Sequence, residues 1–378
     1  MKFQFSNSDR LNLDHVPQIK EVRPFKQFIQ RHKTTDVGVA FGDPGTESQC
    51  IFPIEVSKYA FQWTGDVRNP DSFNTLLNIP IKVIQSVQHG ICRIAIISII
   101  EGDSFITAHW NAFKALHHDM EQRSLPNGSV VVVSGNLKLN EEYQQWCKDA
   151  NVYPKLEIQA GIEWDAKTAY KEDDLVIDKV LRNWSTIALF NSLNRAPKAH
   201  RNKHVLWLEE HNLVKDNLVS GLGHYVDVQS PIEHSLGNVC NRDIYENSLL
   251  SIITESHFKE PGLFITEKTF RSIAIGHPCM VLGQPGILDY FDSIGINLRL
   301  PGLNTVYDSV QDPTMRFNIF HDTIQYWVHL ERTERYKLLK SWQPILKKNA
   351  QVYNSINFKH QITENILKST EEYFLTKP

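Results

Sequence analysis

The sequence predicts an α/β protein made of two doubly wound domains. Three observations carry this. Short apolar runs bounded by turn residues recur along the chain, and their length suits strands buried on both faces. Amphipathic helical stretches separate them, and strands alternating with helices imply parallel βαβ units. The length, 378 residues, is enough for two ordinary domains that each bury a core. A hydrophobic share of 41% against 22% charged residues fits a folded, soluble chain.

Residues 1–33 are polar and mixed, with Lys20, Arg23, Lys26, Arg31 and Lys33 close together. They read either as a basic face for a polyanion or as a solvated helix opening near Pro24. Residues 37–41 and 50–56 read as strands around the turn Gly42-Asp43-Pro44-Gly45. An isoleucine-rich strand at 94–100 runs into Glu101-Gly102-Asp103-Ser104. The helix after it has a stripe of Phe105, Ala108, Ala112, Phe113, Leu116 and Met120. Residues 129–134 form the next strand, Gly135 and Asn136 turn the chain, and Asn140 caps a helix over 141–150. A third strand follows at 155–159. The charged stretch 167–179 marks the boundary, so the first domain spans 1–180 and the second 181–345.

The second domain opens with a strand at 187–190 that leads into Asn191-Ser192-Leu193-Asn194-Arg195-Ala196-Pro197-Lys198. Pro197 suits the first helical position, and Val205, Leu206 and Leu208 continue the helix. Arg195, Lys198 and Arg201 thus gather at a strand-to-helix turn, a common place for diphosphate recognition. Arg195 stands first among them because a guanidinium binds phosphate with two parallel hydrogen bonds. A chance group of surface cations is the plain alternative. Gly221-Leu222-Gly223 lacks the third glycine and the later acidic residue of a dinucleotide fingerprint. Strands at 217–220 and 247–254 follow, the second leading into Glu255.

Residues 264–286, FITEKTFRSIAIGHPCMVLGQPG, read as loop, helix, turn, buried strand and turn. Thr266 is the N-cap, with Phe270, Ile273 and Ala274 at helical spacing. Gly276 stops the helix and Pro278 keeps it from restarting. Lys268 lies in the first turn, where the helix dipole already places positive charge, at a cost of up to about 1 kcal/mol. An anion would resolve this, since backbone N–H groups, dipole and ammonium would address one phosphate. Glu267 beside it can accept from the two hydroxyls of a ribose. An ordinary exposed Glu–Lys pair is the bland alternative. Beyond Gly286 a short helix ends at Gly295, and Asp312-Pro313 opens a longer one with Phe317, Phe320, Ile324, Trp327 and Val328 on its apolar face. A helical tail then runs with interruptions at Pro344 and Asn354.

The series IITES, a short loop, ITEK, an apolar helix, Gly-x-Pro and a hydrophobic strand resembles the donor motif of α1,3-fucosyltransferases over about residues 249–288. The stretches FNSLNRAPKAHR and VSGNLKLNEEYQQWC are similar to a family of predicted bacteriophage and bacterial glycosyltransferases. The resemblance implies a GT-B fold, two Rossmann-like domains facing across a cleft, with the last helices, 346–378, returning to the first domain. It implies a nucleoside-diphosphate sugar as donor, Glu267 on its ribose and Lys268 on its phosphate, with Thr266, Glu255 and Ser256 nearby. Transfer with inversion at the anomeric carbon also follows from the resemblance alone.

In doubly wound sheets ligands lie beyond the carboxyl ends of the strands. Glu101 and Asp103 sit at that edge and are candidates for the base that deprotonates an acceptor hydroxyl. Asp103 reads equally well as a helix N-cap. The same carboxylate-x-carboxylate step also resembles the metal site of GT-A enzymes. Lys268 and its helix terminus argue against that, because they neutralise a diphosphate without metal. No tightly bound cofactor and no divalent ion are therefore expected.

The net charge of −3 exerts no general pull on nucleic acid or anionic membrane. Five dispersed cysteines without a Cys-x-x-Cys pair read as reduced core thiols in the cytoplasm. The longest apolar run is too short to span a bilayer. The expected activity is sugar transfer from a nucleoside-diphosphate donor to a hydroxyl. The leading acceptor is 5-hydroxymethylcytosine in double-stranded phage DNA, on the phage-like resemblance, the basic start and eight tryptophans that could stack a flipped base. Surface-polysaccharide or lipid-linked glycan synthesis is the enzymatic alternative, and a non-catalytic nucleotide-sugar or glycan binder is the other class.

Overall fold

The computed structural model describes residues 4–5, 50–55, 81–98, 106–107, 110–162, 174–194, 197–221 and 242–376. They belong to two compact units: Met1–Glu163 together with Phe358–Pro378, and Trp164–Asn357.

The first unit runs β1 (Gln4–Phe5), β2 (Cys50–Glu55), α1 (Ile81–Gln88), β3 (Cys92–Ser98), β4 (Ile106–Thr107), β5 (Trp110–Asn111), α2 (Ala112–Gln122), β6 (Val130–Ser134), α3 (Leu139–Asp149) and β7 (Leu156–Ala160). Its main sheet is parallel, in the order β1-β2-β3-β6-β7. The strands therefore stand side by side in the order the chain makes them. The crossovers whose helices are described step the same way, and right-handed connections then deliver α1, α2 and α3 to the same face. The packing shows this directly: Ile94, Ile96, Val130, Val132 and Ile158 share one core with Val83, Val87, Phe113, Leu116, Met120 and Tyr143. Alternation along the strands sends Arg93, Val131 and Glu157 to the opposite face.

Two local expectations are corrected here. Phe105 and Ala108 lie outside the described residues; the helix begins at Ala112, because Ile106–Thr107, inside the expected stripe, pairs antiparallel with Trp110–Asn111. Those β-branched and aromatic residues favour extended backbone over helix. Asn140 lies inside α3 and does not cap it. Asn136 shapes the entry instead, accepting from Lys138 N at 3.1 Å and donating to Glu142 Oε1 at 3.1 Å.

The second unit runs α4 (Val176–Asn183), β8 (Asn191–Leu193), α5 (Ala199–Glu210), β9 (Leu218–Ser220), α6 (Arg242–Glu246), β10 (Ser251–Thr254), α7 (Glu267–Ala274), β11 (Cys279–Leu282), α8 (Ile287–Ser293), a 3₁₀ turn (Val306–Ser309), α9 (Pro313–His329) and α10 (Arg332–Ser355). Its parallel sheet has the order β11-β10-β8-β9. Asp312 caps α9 by accepting from Met315 N at 2.6 Å, with Pro313 in the first turn. Phe320, Ile324 and Trp327 of α9 are buried, and Trp327 stacks on Trp342 of α10 at 5.3 Å. These two tryptophans are core, which removes them from any base-stacking role. Pro344 lies inside α10 and does not interrupt it. Buried Trp342 and Leu346 on either side hold the helix through a residue that costs about 3 kcal/mol in a helix interior.

The last helix, α11 (Phe358–Leu375), belongs to the first unit and lies on the face of the sheet that its crossover helices leave bare. Arg93 is its anchor. The guanidinium donates to Gly128 O at 2.8 Å, Ser369 Oγ at 2.8 Å and Thr370 Oγ1 at 3.1 Å, pairs with Glu157, and lies 5.0 Å from the Tyr373 ring centre. Beside it Ile362 packs so closely over Gly161 that a Cβ there would collide with it. Cys92, Cys147 and Cys279 are buried thiols that form no disulfide.

Candidate functional site

Topology singles out one place in the second unit. The chain leaves β8 toward β9 on one side and leaves β10 toward β11 on the other. The crossover helices α5 and α7 therefore lie on opposite faces, and the point of reversal falls between β8 and β10. Ligands of open α/β sheets bind beyond the carboxyl ends of such a strand pair. Among its described strands, the first unit has no such reversal.

β10 runs directly into Glu255, which is 0% exposed. One carboxylate oxygen accepts from Thr266 N at 3.2 Å and Thr269 Oγ1 at 2.6 Å; the other accepts from Thr266 Oγ1 at 2.6 Å and Ser256 N at 3.3 Å. A buried carboxylate thus sits against the N-terminus of α7 and supplies the negative charge that a helix start favours. Thr266 occupies the N-cap position in extended conformation, yet its hydroxyl makes no capping bond and turns to Glu255.

Glu267 and Lys268 stand on the open side of the same turn, 19% and 27% exposed. Lys268 Nζ donates to Thr266 Oγ1 at 3.1 Å and to Glu267 Oε1 at 3.3 Å. The cation that the helix dipole disfavours is therefore offset by Glu267 directly and by Glu255 through Thr266. An ammonium carries three donors, so one is left for an outside acceptor. Glu267 spends one oxygen on Lys268 and keeps the other.

α5 closes the far side. Arg201 is buried and donates to Thr254 O through Nε at 3.2 Å and Nη2 at 3.1 Å, with Ser256 Oγ at 3.4 Å. Burial pulls its pKa below the ordinary value, and Glu255 and Glu267 oppose that. His200 Nε2 donates to Glu255 O at 2.8 Å, and its ring stacks on Phe258 at 5.3 Å. Burial lowers its pKa to about 4, so it is neutral at pH 7. Lys198 is the N-cap residue of α5, in extended conformation and without a side-chain cap.

The loop joining β10 to α7 is braced from within. Glu260 accepts from Phe258 N at 2.8 Å and Lys259 N at 3.0 Å. Gln284 accepts from Phe264 N at 2.7 Å and donates to Glu260 O and Pro261 O, both at 3.0 Å.

Of the residues singled out in the sequence, Lys198, Glu255, Thr266, Glu267 and Lys268 meet at this sheet end. Arg195, Glu101 and Asp103 lie outside the described residues. His277 is a core residue, donating to Ser248 O and accepting from Ser251 Oγ, both at 2.9 Å. Sequence reasoning missed Thr269 and His200. The Thr266-x-x-Thr269 spacing, which places both hydroxyls on one helix face, was the available signal for the first. Among the described residues no group of three or more His, Cys, Asp or Glu could hold a metal ion. No helix among them is long and apolar enough to cross a membrane.

No family model matches the sequence, and no curated protein does. Among solved structures, six chains match. One is sucrose-phosphate synthase from Thermosynechococcus elongatus, 10% identical with a TM-score of 0.36, covering 87% of this chain and 100% of its own.

Proposed function

We propose that the second unit binds a nucleoside-diphosphate sugar at the β8–β10 reversal and that the protein transfers the sugar to an acceptor hydroxyl. One observation carries the reading. Glu267 and Lys268 are partly exposed, side by side at the carboxyl end of β10, on a turn already braced by Glu255. The remaining Lys268 donor suits a phosphate oxygen, and the remaining Glu267 oxygen suits a ribose hydroxyl.

Sugar transfer releases a diphosphate, so a fixed cation at the leaving group stabilises the charge that develops. Lys268 fills that role, with Lys198 contributing from the start of α5; Arg195 is assigned the same role on its place in the sequence. Glu255 and Thr266 act one step back, holding the turn that presents Glu267 and Lys268. The base, assigned to Glu101 or Asp103, rests on their place after an isoleucine-rich strand in the sequence. Inversion and a 5-hydroxymethylcytosine acceptor in DNA rest on the family resemblance, and the net charge of −3 gives the DNA acceptor no added support.

Calorimetric titration with UDP-, GDP-, ADP- and CDP-sugars tests the donor site. Lys268→Ala weakens binding about tenfold or more, the loss of a charge-assisted hydrogen bond. Unchanged affinity removes the donor reading. Incubation of the donor panel with hydroxymethylcytosine DNA, followed by nucleoside mass analysis, tests the acceptor. Glu101→Ala or Asp103→Ala abolishes turnover while leaving donor affinity intact in a catalyst.

A further inference from the structure

The core beneath this site contains a line of polar side chains that the donor contacts do not use. Thr254 Oγ1 donates to Asn194 Oδ1. Asn194 Nδ2 donates to Ser192 Oγ at 2.9 Å, and Ser192 Oγ is 3.0 Å from His204 Nε2. His204 Nδ1 lies 2.9 Å from His321 Nε2, and His321 Nδ1 lies 2.7 Å from Phe317 O. The line begins on β10, crosses the end of β8, passes through α5 and finishes on α9. All five side chains are buried.

For neutral rings only one proton arrangement satisfies every link. Phe317 O can only accept, so His321 carries its proton on Nδ1 and offers Nε2 as an acceptor. His204 must then donate from Nδ1, which leaves its Nε2 to accept from the Ser192 hydroxyl. The hydroxyl in turn accepts from Asn194. Burial keeps both rings neutral, with His321 lowered to about 4 and His204 well below its ordinary value.

We infer that this relay is a positioning device for the ligand site, with Ser192, His204 and His321 holding Asn194, the residue just after β8, and Thr254, the last residue of β10. Asn194 immediately precedes Arg195 in the chain, and Thr254 immediately precedes Glu255. A core of this size closes without such residues, and every polar group in it costs free energy unless it is paired. What the network adds is a single setting for two strand ends on either side of the topological reversal. Asn194 N also donates to Ser220 O at 3.3 Å and Ser220 Oγ at 3.1 Å, so the same residue ties in β9. The consequence for affinity rests on the donor reading above; the relay itself does not.

Long-range ¹H–¹⁵N spectra of the full chain at pH 7 show both His204 and His321 as the Nδ1–H tautomer. Either ring in the other tautomer overturns the relay. Ser192→Ala removes one hydroxyl from its middle and leaves the helices and core in place. In that variant amide exchange at Asn194 and Glu255 rises about tenfold, as for local opening at the strand ends. His321→Phe gives the same increase, and the double variant adds little to either. UDP and GDP serve as probes: both variants bind them about tenfold more weakly than the parent, the size of one lost hydrogen-bonded constraint. Parent-like affinity in the variants, with binding intact in the parent, overturns the positioning role. If the parent binds neither UDP nor GDP, the donor reading fails, and tautomers and exchange alone decide the relay.

Discussion

Replacing Glu255 by glutamine tests whether the helix start is held from inside. The carboxylate faces four donors: two hydroxyls at 2.6 Å and two backbone N–H groups at 3.2 and 3.3 Å. Each oxygen serves one hydroxyl and one N–H. An amide keeps only one accepting oxygen, and its NH₂ then faces the other pair. A hydroxyl can turn and accept from that NH₂, whereas a backbone N–H cannot. Either orientation strands one N–H, at about 1–3 kcal/mol, and forfeits charge at the helix terminus, about 0.3–1 kcal/mol. Relief of the carboxylate's own burial offsets part of this. The net expectation is about 2 kcal/mol, or roughly 4–8 °C in the unfolding transition of a unit this size. Differential scanning calorimetry reads the shift, and hydrogen exchange at Ser256 and Thr266 locates it. Glu255→Ala, which abandons all four donors, costs about 3–5 kcal/mol. A glutamine variant with the parental transition and parental exchange at both amides refutes the account.

Two further expectations concern acid and the last helix. His117, His200, His277 and His321 have pKa values lowered to about 4, and His204 lies well below its ordinary value, in each case first through burial. The native state thus binds fewer protons than the unfolded chain below pH 6.5, and stability, fully present above that pH, falls as pH drops toward 4. Each such group contributes a slope of about 1.4 kcal/mol per pH unit within the window. Calorimetry from pH 7 to 4.5 shows a steep, multi-proton decline; a flat profile contradicts the burial of neutral imidazoles. Truncation after Asn357 removes α11, uncovers Arg93 and one sheet face, and abolishes the first unit's cooperative transition while the second unit's persists. Retention of both transitions in the truncated protein refutes the role given to that helix.

Legibility in the sequence followed how local the determining chemistry was. The turn from Thr266 to Leu282 could be read almost residue by residue, since cap position, left-handed Gly276 at φ 66° and fully buried β11 all arise from neighbours. The start of α2 was misread because a helical stripe continues through residues that pair as a short antiparallel ladder. The passage of α10 through Pro344 was misread because packing of Trp342 and Leu346 outweighs a local rule. Glu255 was recognised as a site residue, but its partners lie 11 and 14 positions away, so its inward role could not be inferred. The contact between His204 and His321 spans 117 positions, and no pattern in a single sequence announces it.

The ordered march of strands in the first unit has a consequence for biosynthesis. Five strands and the helices α1, α2 and α3 leave the ribosome before any of the second unit, yet among the described residues the other side of that sheet is covered only once α11 emerges. The second unit can finish folding while its predecessor still waits, with Arg93 and Glu157 exposed to water or to chaperones. A nascent chain stalled once Asn357 has cleared the ribosome should therefore hold one completed body and one half-built body.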